Sequence, residues 1–130
     1  MMIDSSALVA ILPDEPEAER LVMAIGASFA RRLPASCLLE TSMILLRKKA
    51  TEGVRDLNRF VARSRIEILP FNESQARIAL AAFEKFGKGR HPAQLNFGDC
   101  MAYAAAKTTG EELLFKGSDF IQTDIAIAAY

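Results

Sequence analysis

Residues 1–12 read MMIDSSALVAIL. Met1 to Asp4 have the pattern of a short buried strand that stops at a carboxylate, and Ser5 to Leu12 that of a helical turn or two directly behind it. A strand that hands over to a helix at an aspartate is the start of a β-α unit, so the reading of the fold depends on whether that unit repeats.

It does repeat. Asp14, with Glu17 three places on, has capping-box spacing and predicts a helix whose Ala18, Leu21, Val22 and Ile25 share one face. A very short strand is expected through Arg32 to Ala35. Ser36 then reads as the N-cap of a helix from Cys37 to about Thr51, which ends in the basic run Arg47-Lys48-Lys49. A further helix runs from Val54 to Ser64 with Val54, Leu57 and Val61 on one face, and Ile66 to Pro70, IEILP, is a strand closed by proline. Asn72 and Gln75 open another helix, with Ala76, Ala79, Leu80 and Phe83 as its buried stripe; Gly87 to Pro92 is a loop. In LNFGDCMAYAAAK, Leu95 to Lys107, Asn96 caps a helix that Gly110 ends, and Glu112 to Phe115 is the last clear strand. Strands alternating with helices predict one α/β domain over residues 1–130, with a mostly parallel sheet covered on both faces. Ligands of such sheets bind beyond the carboxyl ends of the strands, where the strand order reverses.

Composition narrows the function classes. The hydrophobic share of 51% is enough for a core without disulfides or structural metals, and it excludes a disordered or collagen-like chain. Lys plus Arg and Asp plus Glu number 16 each, so no overall basic field holds nucleic acid and any polyanion needs a local site. The N-terminal apolar run has no basic region ahead of it and meets Asp4 at once, so neither a signal peptide nor a membrane anchor is expected, and no run approaches the roughly 20 residues of a bilayer span. Cys37 and Cys100 lack a CxxC partner, which fits a reducing cytoplasm and two small core residues rather than a zinc site. With His91 as the one histidine, in a Gly- and Pro-rich loop, histidine triads and histidine metal clusters have almost no material.

The acids carry more information. Asp4 ends the first strand, Asp119 follows the last, Asp99 falls at about the third position of its helix, and Glu40 lies early in SCLLETSMILL on the stripe shared with Ser36 and Ile44. Each alone has a plain structural reading: a helix-start charge for Asp99, turn residues for Asp4 and Asp119, a half-exposed helix residue for Glu40. Together they would repel, since two carboxylates about 4 Å apart cost about 4 kcal/mol at an effective dielectric near 20. No lysine or arginine is adjacent in sequence to Asp4, Glu40 or Asp99. A hard divalent cation, Mg²⁺ or Mn²⁺, is the simpler compensator, and such an ion suits phosphodiester hydrolysis.

The ordered set MMIDSSALVAIL, SCLLETSMILL, LNFGDCMAYAAAK and LLFKGSDF resembles the PIN-domain ribonucleases, specifically the VapC-type toxins of bacterial toxin-antitoxin pairs. The resemblance covers essentially the whole chain. It implies a three-layer α/β/α domain, Mg²⁺- or Mn²⁺-dependent cleavage of an RNA such as tRNA or rRNA, a homodimer, and inhibition by a cognate VapB-type antitoxin. It also implies that Asp4, Glu40 and Asp99 are catalytic and hold the metal. At the fourth position relatives often carry Asp or Asn where this chain has Ser118, and the role passes to the neighbouring Asp119. Ser6 resembles the family's hydroxyl near the scissile phosphate or simply caps the following turn, and Asp124 is an outer-shell candidate or a plain loop charge. Arg47, Lys48, Lys88, Arg90 and Lys116 are candidates for RNA contact or ordinary surface charges.

Other classes fit less well. A phosphorylatable receiver needs an acid at the end of its middle strand, where this chain has Pro70-Phe71, and a haloacid-dehalogenase-like phosphatase needs a second aspartate where Ser6 stands. A catalytically weak or inactive PIN scaffold, binding protein or RNA, is the remaining alternative, and Ser118 is the feature that leaves room for it.

Overall fold

The computed structural model describes residues 1–130. In chain order the elements are β1 (Met2–Ile3), α1 (Ser5–Ile11), α2 (Ala18–Ala27), β2 (Arg32–Pro34), α3 (Ala35–Arg63), β3 (Glu67–Leu69), α4 (Glu73–Phe86), α5 (Phe97–Thr109) and β4 (Leu113–Leu114). The strands form one sheet in the order β3-β2-β1-β4. All pairings are parallel, with Met2 beside both Arg32 and Leu113, and Leu33 beside Ile68. The architecture is the three-layer α/β/α sandwich. Met2, Ile3, Leu33, Leu113 and Leu114 are all fully buried, because strands covered on both faces need apolar residues without alternation.

The strand order locates the site. The chain moves outward from β1 to β2 and β3, then returns to place β4 on the other side of β1. The reversal therefore falls at β1, and the crevice opens beyond the carboxyl ends of β1 and β4. Asp4 is the residue that follows β1, and Phe115 to Asp119 follow β4.

Several local expectations change. Asp14 does not cap α2. It sits in a tight turn at φ 60°, its N–H donating to the carbonyl of Ile11, and the helix starts at Ala18 behind Glu17. Nor is Ser36 an N-cap. β2 runs straight into α3 with Pro34 as the capping residue, so Ser36 is already helical. The two helices expected between Cys37 and Ser64 form one segment broken by non-helical backbone at Lys49 and Ala50. The second half folds back closely enough that a Cβ on Gly53 would lie 2.8 Å from the carbonyl of Leu45. The stripe expected on α4 is rotated. Gln75, Ala79, Ala82 and Phe86 face inward, while Ala76, Leu80 and Phe83 are exposed. The small Ala79 and Ala82 permit close packing of α4 on the alanine-rich α5, with Phe86 tilted against Tyr103 at 5.9 Å between ring centroids. Cys37 and Cys100 are both buried and free, as expected. No helix is long and apolar enough to cross a membrane.

Candidate active site

Asp4 both closes β1 and caps α1. Its Oδ2 accepts the Ser6 backbone N–H at 2.9 Å and the Ser6 hydroxyl at 2.5 Å. The same hydroxyl oxygen accepts the N–H of Lys116 at 3.0 Å, tying the end of β1 to the chain that leaves β4. Asp4 Oδ1 has the Cys37 thiol as its neighbour, with Sγ 3.8 Å away. The residue is 3% exposed. Burial raises its carboxyl above the ordinary range, the Ser6 bonds pull it back, and the charge of Glu40 adds to the rise.

Glu40 projects from the second turn of α3. The Ser5 hydroxyl donates to its Oε2 at 2.9 Å, and its carboxylate lies against Gly98 at the head of α5. Asp99, one residue further along, completes a reciprocal capping box: its N–H donates to the Asn96 side chain and its carboxylate accepts the Asn96 N–H, both at 2.9 Å. The plain helix-start reading of Asp99 is therefore correct. Asp99 also lies within electrostatic reach of the other three acids: burial pushes its carboxyl up to about 7, against the Asn96 bond, and the charges of Asp4, Asp119 and Glu40 add to the rise. Asp119 is exposed in the turn after β4. Ser118 is exposed beside it, its carbonyl accepting the Ile121 N–H.

Four acids from four segments thus share one electrostatic neighbourhood at the switch point. None of them takes part in any of the ion pairs of the protein. The donor set fits a hard divalent cation: it is all oxygen, anionic and without a counter-charge. A groove of about 420 Å³ adjoins it, lined by Ser36, Leu39, Glu40, Met43, Arg47, Phe97 and Gly98 among others, and in it the Ser36 hydroxyl is buried without a hydrogen-bond partner. No three of the acidic side chains already close around a single point.

Two candidates lie elsewhere. Asp124 accepts the Tyr103 hydroxyl at 2.5 Å and pairs with Lys107 at 3.0 Å, so it serves the far end of α5 and not the acidic group. The Lys116 amine is held by Glu15 and Glu17, which removes it as a free phosphate contact. Arg47 lines the groove beside Glu40. Lys48 and Lys88 are exposed, and Arg90 lies 5.7 Å from the centroid of the Phe83 ring. The sequence places Ser36 on the Glu40 stripe, as found, but gives neither Ser5 nor Gly98 as a neighbour of Glu40. The serine pair after Asp4 was a usable signal for Ser5, whereas Gly98 has no local signature.

The pH dependence follows from Asp99. Between pH 4 and 7 the folded, metal-free protein retains a proton at Asp99 that the unfolded chain has released, so stability falls as pH rises across that window. Asp4, also raised, acts in the same direction. Asp124 is lowered by the Tyr103 hydroxyl, and its contribution is lost only in more acidic solution. In EDTA the protein is expected to melt about 5 °C lower at pH 8 than at pH 5, the partial exposure of Asp99 limiting the effect to about 1–2 kcal/mol. A scan showing equal melting temperatures at the two pH values would rule this out.

The PIN domain family matches residues 1–126, and the chain belongs to that family. Among its relatives, ribonuclease VapC30 of Mycobacterium tuberculosis is 44% identical over 99% of this chain and 98% of its own, which places the chain with the VapC-type PIN proteins. Of solved structures, Mycobacterium tuberculosis VapC20, described as a Sarcin-Ricin loop cleaving toxin, superposes with a TM-score of 0.79 at 12% identity, covering 96% of this chain and 95% of that one. A toxin-antitoxin complex from Klebsiella pneumoniae gives a TM-score of 0.74 at 16% identity, covering 99% and 97%. At those identities the structures speak for the fold.

Proposed function

We propose that this protein is a Mg²⁺- or Mn²⁺-dependent endoribonuclease and the toxin of a toxin-antitoxin pair. The observation that carries the reading is the group of four carboxylates at the switch point with no cationic side chain among them. Asp4, Glu40, Asp99 and Asp119 would hold the ion, which supplies Lewis-acid polarisation of a phosphoryl oxygen and a water made nucleophilic at neutral pH. The rest is done by the chain itself. Ser6 orients the Asp4 carboxylate, Ser5 orients that of Glu40, and the capping box fixes Asp99 on a rigid helix end. Arg47, which lines the groove together with Glu40 and Phe97, would steady a phosphate of the incoming strand.

The relatives' name supports RNA as substrate, and the Sarcin-Ricin loop named for VapC20 supports a structured RNA, tRNA or rRNA. Products are expected to carry 5′-phosphate and 3′-hydroxyl ends. The fold shared with a toxin-antitoxin complex supports a cognate antitoxin. Leu39, Met43 and Leu46 on α3 and Phe97 on α5 leave large apolar side chains exposed, which supports pairing with a second copy.

Protein freed of any antitoxin should cut a structured RNA in the presence of Mg²⁺ and stop on addition of EDTA, read by mapping new 5′ ends across tRNA and rRNA. Cleavage that persists in EDTA would refute the metal assignment. Absence of cleavage from every stable RNA, with Mn²⁺ binding intact, would point to a binding scaffold.

A further inference from the structure

Gly98 is the second residue of α5, in ordinary helical backbone. Nothing local asks for glycine there, and alanine is the better helix former. The reason lies across the site. A Cβ on Gly98 would meet Glu40 Oε2 at 2.9 Å, Oε1 at 3.2 Å and Cδ at 3.3 Å, so the three nearest atoms all belong to one carboxylate. From another side the Ser5 hydroxyl donates to the same Oε2 at 2.9 Å. The Glu40 carboxylate is thus seated in the space that a side chain at residue 98 would take.

We propose that Gly98 is a positioning residue for Glu40. Its missing side chain is the gap through which the Glu40 carboxylate reaches the head of α5 and stands beside Asp99, where both acids serve one cation. The inference rests on the metal-dependent reading above. A methyl group at residue 98 meets the free end of a flexible side chain rather than backbone, so Gly98→Ala should fold normally and displace the carboxylate alone.

The test is a double-mutant cycle in Mn²⁺ affinity, measured by calorimetry on wild type, Gly98→Ala, Glu40→Ala and the double variant, with melting temperatures recorded without metal. Gly98→Ala is expected to melt at or above the wild-type temperature and to bind Mn²⁺ about tenfold more weakly, the range found when a residue supporting a metal ligand is changed. In the Glu40→Ala background the same change should cost nothing further. Wild-type affinity in Gly98→Ala, or a second tenfold loss in the double variant, would overturn the proposal alone. A wild-type protein that binds no Mn²⁺ would overturn it together with the metal-dependent reading.

Discussion

Asp99→Asn is expected to melt several degrees higher than wild type in the absence of metal and to cut RNA about a thousandfold more slowly, a loss of about 4 kcal/mol in transition-state stabilisation. Both effects have one cause. The carboxylate is held to about 7 because it is half buried and faces the charges of Asp4, Asp119 and Glu40. An amide of the same shape removes that repulsion and still offers an oxygen to the Asn96 N–H, so the helix start survives. What is lost is the anion that a divalent cation needs. Thermal melts in EDTA at pH 8, paired with single-turnover cleavage in Mg²⁺, separate the two effects. A variant that cuts at the wild-type rate would remove Asp99 from the mechanism, and one that melts lower would show that the carboxylate stabilises the fold.

Such opposition between stability and the proposed chemistry is also why the acidic group could be picked out in the sequence while parts of the fold could not. Asp4 and Asp99 each have a plain structural reading alone and stand out only as members of a group of acids whose mutual repulsion calls for something that uses it. β1 and β4 were legible for a related reason: strands buried on both faces admit little but apolar residues. Side-chain pairings made over long sequence distance leave no such mark. Lys116 is claimed by Glu15 and Glu17, residues from the other end of the chain, and Asp124 by Tyr103 and Lys107 on α5. The α4 stripe failed for want of a partner to choose it. Two apolar stripes sharing Ala79 were available, and only the small residues of α5 decide in favour of Ala82 and Phe86 over Leu80 and Phe83. Asp14 and Glu17 had the right spacing for a cap, but Glu17 turns to Lys116 instead.

Ser6→Ala is expected to damage stability and cleavage together, which distinguishes it from Asp99→Asn. One hydroxyl makes two connections: it donates to Asp4 Oδ2 and accepts the N–H of Lys116. Its removal leaves a buried carboxylate with one donor fewer and a backbone N–H without a partner. Hydrogen bonds to charged groups contribute about 1.5–3 kcal/mol, and an orphaned N–H adds to the loss, so destabilisation of about 2–3 kcal/mol is expected by chemical denaturation. Cleavage should fall about a hundredfold, because the same bond anchors the turn that carries Asp119 and a small displacement of positioned groups is costly to rate. Ser6→Thr keeps the hydroxyl and should recover most of both losses. If Ser6→Ala unfolds with wild-type stability, the tether between β1 and β4 has no energetic weight. If it is destabilised yet cuts at the wild-type rate, Asp119 does not depend on that tether for its place in the site.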